Sequence, residues 1–136
     1  AFSETDDERY LVTLTGICRF DLNQELEPGT PYRQALVSYD AFENDFAQAR
    51  GERIDRDALI KSLKSYASLH GFVVDWDSVE QAPTETIVNV AAQICPFDPA
   101  AKQAMLEAVS LEERAQALLA LLEWDRAAGD DQRPIQ

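Results

Sequence analysis

The sequence predicts an α+β fold, mostly α, with strands first and helices after. Three observations carry that expectation. Residues 9–22, RYLVTLTGICRFDL, alternate in the manner of a strand. From residue 40 onward the apolar period lengthens to that of a helix. Further on, CPFDPAAKQAMLEAVSLEERAQALLALLEW, residues 95–124, holds two complete helix-start signals close together, at Asp98-Pro99 and at Ser110-Leu111-Glu112-Glu113.

In the first segment Tyr10, Val12, Leu14, Cys18, Phe20 and Leu22 share one face at period two. Gly16 interrupts them and implies a bulge or a close backbone approach. EPGTP at 27–31 has turn chemistry, and YRQALVSY at 32–39 reads as a second strand. The connection is short, so the two strands are expected to pair as an antiparallel hairpin. Asp40 is placed to cap a short helix carrying Phe42 and Phe46. Residues 47–54 are polar, contain Gly51, and read as a linker.

Beyond the linker, DRDALIKSLKSYASLHG sets Leu59, Leu63 and Tyr66 at helical spacing, with Gly71 just past the end. FVVDWDSVEQ, 72–81, fits either a short strand or a loop with a helical turn. PTETIVNVAAQIC puts Ile87, Val88, Ala91, Ile94 and Cys95 on one stripe, and Pro96 stops that helix. Asp98 then caps a helix of about eleven residues, an ordinary length. Ser110 and Glu113 form a capping box for the last helix, where Leu111, Leu118, Leu119 and Leu122 face one way and Glu112, Glu113 and Arg114 lie outward. The expected organisation is a partial β lobe with a short helix over 1–46, a helical bundle over 47–126 and a flexible tail over 127–136.

Composition narrows the function classes. The chain has 136 residues, is 46% hydrophobic, and carries a formal net charge of -13 at pH 7. One domain, or two small lobes, can bury a core at that size. A field of that sign repels phosphate backbones and anionic lipid, which makes nucleic acid and membrane surfaces unfavourable general partners. No apolar run is long enough to cross a bilayer. Cys18 and Cys95 stand far apart with no CxxC motif, and no signal peptide precedes them. They read as two buried free thiols of a reducing, cytoplasmic compartment, with a disulfide as the alternative.

Catalytic signals are absent. The single histidine, His70, falls in the last turn of a predicted helix, where it can donate to terminal carbonyls. One histidine cannot build a multi-histidine metal site, and the pairs Asp6-Asp7, Asp75-Asp77 and Asp130-Asp131 lack calcium-loop spacing. No phosphate loop, dinucleotide fingerprint or nucleophile elbow occurs. The expectation is a protein without enzymatic activity, cofactor or metal. A small hydrolase with an unrecognised carboxylate site is the catalytic alternative. Phe42, Phe46, Phe72 and Trp76 sit near the predicted linkers. They either pack the seam between lobes or form an apolar contact surface for another polypeptide.

The order of these features resembles a known family. Gly16, Arg19 and Phe20 in GICRF, the strand YRQALVSYD, and then Pro96, Lys102-Gln103, Leu106-Glu107 and the Leu111–Leu122 helix follow one another as in the N-terminal, substrate-binding domain of Lon proteases. The likeness covers about residues 8–124 and is nearest to bacterial stand-alone proteins of that domain alone. It implies a PUA-like β lobe, here a partial one made of a hairpin, followed by a helical bundle. It also implies recognition of unfolded or exposed apolar polypeptide segments. The family's ATP-binding and peptidase regions have no counterpart here, so proteolysis is not implied. The family's upstream strand-rich segment has none either, which makes this the later half of the domain. Two strands alone are marginal and leave open edges, so the hairpin is expected to pack on the helices, with homodimerisation through a strand edge as the main risk. RNA binding, seen in other PUA-like lobes, is the alternative function.

Overall fold

Two antiparallel hairpins followed by six helices make up the described residues (2–27, 29–47 and 53–131) of the computed structural model, an α+β, mostly α architecture. The chain divides into two compact units, Ala1–Gln48 and Ala49–Gln136.

In the first unit, β1 (Phe2–Glu4) pairs antiparallel with β2 (Tyr10–Val12), Ser3 opposite Leu11. Their turn closes when the Thr5 amide donates to the Arg9 carbonyl at 2.8 Å. The second hairpin joins β3 (Asp21–Leu26) to β4 (Gln34–Ser38), with Leu22 opposite Val37 and Leu26 opposite Gln34. Arg33 clamps Glu25 from the neighbouring strand, Nε and Nη2 donating to the two carboxylate oxygens at 2.6 and 2.9 Å. That guanidinium holds the Glu25 carboxyl below its ordinary pKa.

The single strand expected over 9–22 is two strands with an unladdered stretch between them, because β2 stops at Val12 and β3 begins at Asp21. Alternation identifies a face but supplies no partner, and β1 has only three residues to offer. Nor does the irregularity sit at Gly16, where an added Cβ meets nothing within 4 Å. The register instead shifts between Leu22 and Gln24, a bulge on β3. Side chains hold the stretch before β3. The Arg19 guanidinium grips Asp45 through Nε at 2.8 Å and Nη2 at 2.7 Å, and lies 4.4 Å from the Phe42 ring centroid.

Asp45 and Phe42 belong to a 3-10 helix, Asp40–Phe46. Asp40 is its first residue and not its cap; the Ser38 hydroxyl accepts from the Asp40 amide at 3.2 Å. Phe42 is buried, whereas Tyr10, Leu11, Val12, Leu22 and Leu36 on the strands are exposed.

The second unit holds five α-helices: α1 (Arg56–His70), α2 (Trp76–Gln81), α3 (Thr84–Ile94), α4 (Pro99–Glu107) and α5 (Leu111–Asp131). Carboxylates start three of them. Asp55, Asp75 and Asp98 accept from the amides of Ala58, Ser78 and Ala101. Ser110 and Glu113 make the expected capping box, the Glu113 amide donating to Ser110 Oγ at 3.1 Å. The stretch 72–81, ambiguous in sequence, thus contains a short helix, and α4 is nine residues long.

Helix α5 packs against α1, α3 and α4. Leu59, Val88, Met105 and Leu118, one from each of these helices, are fully buried where they meet. Arg114 does not lie outward as its position suggested. Its Nη1 donates to Asn89 Oδ1 at 2.6 Å and its Nε to the Met105 carbonyl at 3.0 Å, tying α5 to both α3 and α4. Arg56 does a similar task for α2, donating to the Glu80 and Ala82 carbonyls at 2.8 and 2.9 Å and so satisfying that helix's free end. The last helix continues to Asp131, past the expected end at 126, because Ala127 and Ala128 are strong helix formers. Residues 132–136 of the expected tail, 48–52 of the linker and Pro28 of the turn lie outside the described residues.

Candidate functional site

The end of α1 sets up the site. Gly71 adopts the left-handed region at φ 69, and the Phe72 amide donates back to the Ala67 carbonyl at 2.8 Å. This closure leads into a short crossing from α1 to α2, Phe72, Val73 and Val74, before Asp75 starts α2. Pro83 then leads directly into α3. A groove of about 470 Å³ opens between α1, the 72–74 crossing, α2 and α3. That volume is in the range of sites that hold a small ligand or a few side chains, roughly 300–1,000 Å³.

Its lining carries no charge. Leu63 and Tyr66 come from α1, Phe72 and Val73 from the crossing, Trp76 and Val79 from α2, and Val90, Ile94 and Cys95 from α3 and its end, with Ser78 and Thr86 the polar members. In a chain that is 27% charged, sixteen lining residues without a charge mark an apolar surface. Several of these side chains face solvent: Phe72 is 46% exposed, Ile94 72%, and Val73 fully so.

Aromatic packing fixes the rim. The Phe72 ring stacks on His70 at 5.7 Å and lies 6.1 Å from Tyr66. His70 Nε2 in turn bonds the Asp125 carboxylate on α5, so its partner is a side chain and not the helix-end carbonyls expected from sequence. Trp76 lies beneath Lys64 Nζ at 5.5 Å, and Lys64 is paired with Glu80 at 2.7 Å. That pair holds the Glu80 carboxyl low. Asp75 is also held low, by its bonds from Ser78. On the apolar side, burial pushes the Tyr66 hydroxyl up to about 12 and raises the Cys95 thiol.

Of the four aromatics singled out in sequence, Phe72 and Trp76 line this groove together. Phe42 and Phe46 are in the first unit and take no part in it; Phe42 is 5% exposed beneath Arg19, and Phe46 is 66% exposed. Val73 and Val90 were not singled out, and Ile94 was placed on the same stripe as Ile87, Val88, Ala91 and Cys95, which are buried whereas Ile94 is exposed. A signal for two of them existed. Val90 and Ile94 are one turn apart on a helix that already buries Ile87, Val88 and Ala91, so its apolar stripe is wider than one buried face needs.

A second, polar depression of about 560 Å³ is lined by Arg56, Lys61, Lys64 and Glu80 among others. Arg56 and Lys64 are already engaged there by carbonyls and by Glu80. Among the described residues no group of three or more His, Cys, Asp or Glu side chains is placed to hold a metal ion, and no helix is long and apolar enough to cross a membrane.

Residues 1–123 match the family model of the ATP-dependent protease La (LON) substrate-binding domain. No match is found among curated proteins or among solved structures. The chain belongs to the LON substrate-binding domain family, whose domain is a substrate-binding and not a catalytic module.

Proposed function

We propose that this chain binds unfolded or exposed apolar segments of other polypeptides in the groove between α1, α2 and α3, and that it acts without catalysing a reaction. One observation carries the reading: an uncharged groove with solvent-facing Phe72, Val73 and Ile94 on a domain of a substrate-binding family. Exposed apolar surface of this kind gains free energy by covering itself with apolar side chains. Trp76 and Phe72 are its aromatic anchors, since large rigid rings carry most of the energy at such surfaces. Both cysteines are free, in keeping with a reducing, cytoplasmic setting.

RNA is the less favoured ligand, because a net charge of -13 opposes a phosphate backbone. The test is fluorescence anisotropy of a labelled, permanently unfolded protein and, in parallel, a labelled RNA, each titrated with the chain at low and moderate salt. Saturable, salt-tolerant binding of the unfolded protein alone is expected. Steeply salt-dependent RNA binding without protein binding would overturn the proposal.

A further inference from the structure

A short run of chain in the first unit is left without a ladder. Between β2 and β3, Leu14, Thr15, Gly16 and Ile17 pair with no strand and make no backbone hydrogen bond among the described residues, and the chain there has neither turn nor bend. Their side chains stand in solvent, Leu14 88% exposed and Ile17 81%. No residue from Tyr10 to Cys18 carries a charge, although Arg9 and Arg19 flank the run. The ladder to β1 engages alternate residues counted from Arg9, so Val12, and beyond it Leu14 and Gly16, turn their backbone groups to the other edge. Nothing lies within 4 Å of where a Gly16 side chain would begin, so that edge has room for another strand.

We infer that this run pairs antiparallel with the same run of a second copy of the chain, about a two-fold axis at Thr15. Charge selects that register. It sets Arg9 opposite Asp21 of the second copy, twice by symmetry, with Tyr10 opposite Phe20, Val12 opposite Cys18 and Leu14 opposite Gly16 between them. Slipping by one residue sets Glu8 opposite Asp21, and by two sets Arg9 opposite Arg19, both like-charge pairs. Slipping one or two residues the other way leaves Arg9 with no opposite charge across from it. Arg9 is 83% exposed and pairs with Asp7 at 3.3 Å, a surface contact that is readily exchanged. An identical copy is the occupant because it brings both the uncharged centre and the complementary ends, which an arbitrary segment brings only by chance.

Sedimentation velocity of the whole chain reads the dimer, at physiological ionic strength where the net charge is screened beyond about 8 Å. The wild type is expected to move from monomer to dimer with concentration. Arg9→Asp and Asp21→Arg each put like charges opposite one another at both symmetric sites, and each should weaken the dimer about tenfold. Mixing the two variants restores opposite charges and should bring the dimer back, as should both substitutions in one chain. Gly16→Pro removes an amide that faces the second copy and should weaken the dimer as well. Association through the outer edge of β4 would add only at higher concentration and is untouched by these swaps. A wild-type monomer at every concentration would overturn the inference. So would a dimer indifferent to the swaps, or a mixture that associates no better than its parts. No bound polypeptide enters these measurements, so their outcome is independent of the groove.

Discussion

Tyr66 shows how one side chain serves core, rim and pH response together. It is buried, touches Phe72 and Phe97 with its ring, and lines the groove. Burial raises its hydroxyl to about 12, above the ordinary 10, so the folded state holds that proton more tightly than the unfolded state. The stabilisation is complete below pH 10 and disappears as pH climbs towards 12. Urea midpoints measured across that window should fall for the wild type and fall less for Tyr66→Phe; parallel curves would remove Tyr66 as the cause. At the core, Leu118 is fully buried, and Leu118→Ala should cost about 2–5 kcal/mol in urea unfolding. Sequence pattern marked Leu118, Leu59 and Leu63 as core because helical spacing reports a face directly. It did not mark Arg114 as buried in purpose, since its partners, Asn89 and the Met105 carbonyl, come from other helices.

The helices were legible element by element, because each start is written in two to four neighbouring residues. Asp98, Ser110 and Glu113 stand where the sequence places them. Asp98→Ala should therefore cost about 1 kcal/mol of stability and fray the start of α4, seen as faster amide exchange at residues 100–103. The strands were legible in kind and not in extent. A strand's ladder depends on residues elsewhere in the chain, and alternation over 9–22 could not reveal that pairing is lost between Val12 and Asp21. Helix α2 was ambiguous because six residues carry too little periodicity to decide. What stabilises it lies outside it, in the Arg56 bonds to the Glu80 and Ala82 carbonyls. Arg56→Gln should loosen α2 selectively, raising amide exchange at 78–82 while the exchange of core amides in α5 changes little. Uniform loosening of both helices would contradict that role.

At the scale of the molecule, the two units differ in how they use apolar residues. The helical unit encloses a core of at least one residue from each long helix, then leaves Val73, Val90 and Ile94 outside it. The β unit exposes Leu11, Leu22 and Leu36 on strands whose edges are open among the described residues. Such edges are templates for pairing, and self-association through them is the expected behaviour at high concentration. Sedimentation velocity should show a concentration-dependent shift in the wild type that Leu36→Lys reduces; a monomer at all concentrations would dismiss it. Of the four aromatics singled out in the sequence, two, Phe72 and Trp76, line the proposed groove, because bulky aromatics beside a chain turn are conspicuous. The remainder required knowing that α1 and α3 leave a gap where the 72–74 crossing passes. The central claim is that this gap is where polypeptide binds, and the most direct measurement is the affinity of a labelled unfolded protein for Val73→Ser with Ile94→Gln. Both residues are exposed, so the fold should persist while apolar surface is lost. The account predicts at least a fivefold weakening, about what losing two apolar contacts of this size implies, with an unchanged urea midpoint. Unchanged affinity would place binding elsewhere and contradict it.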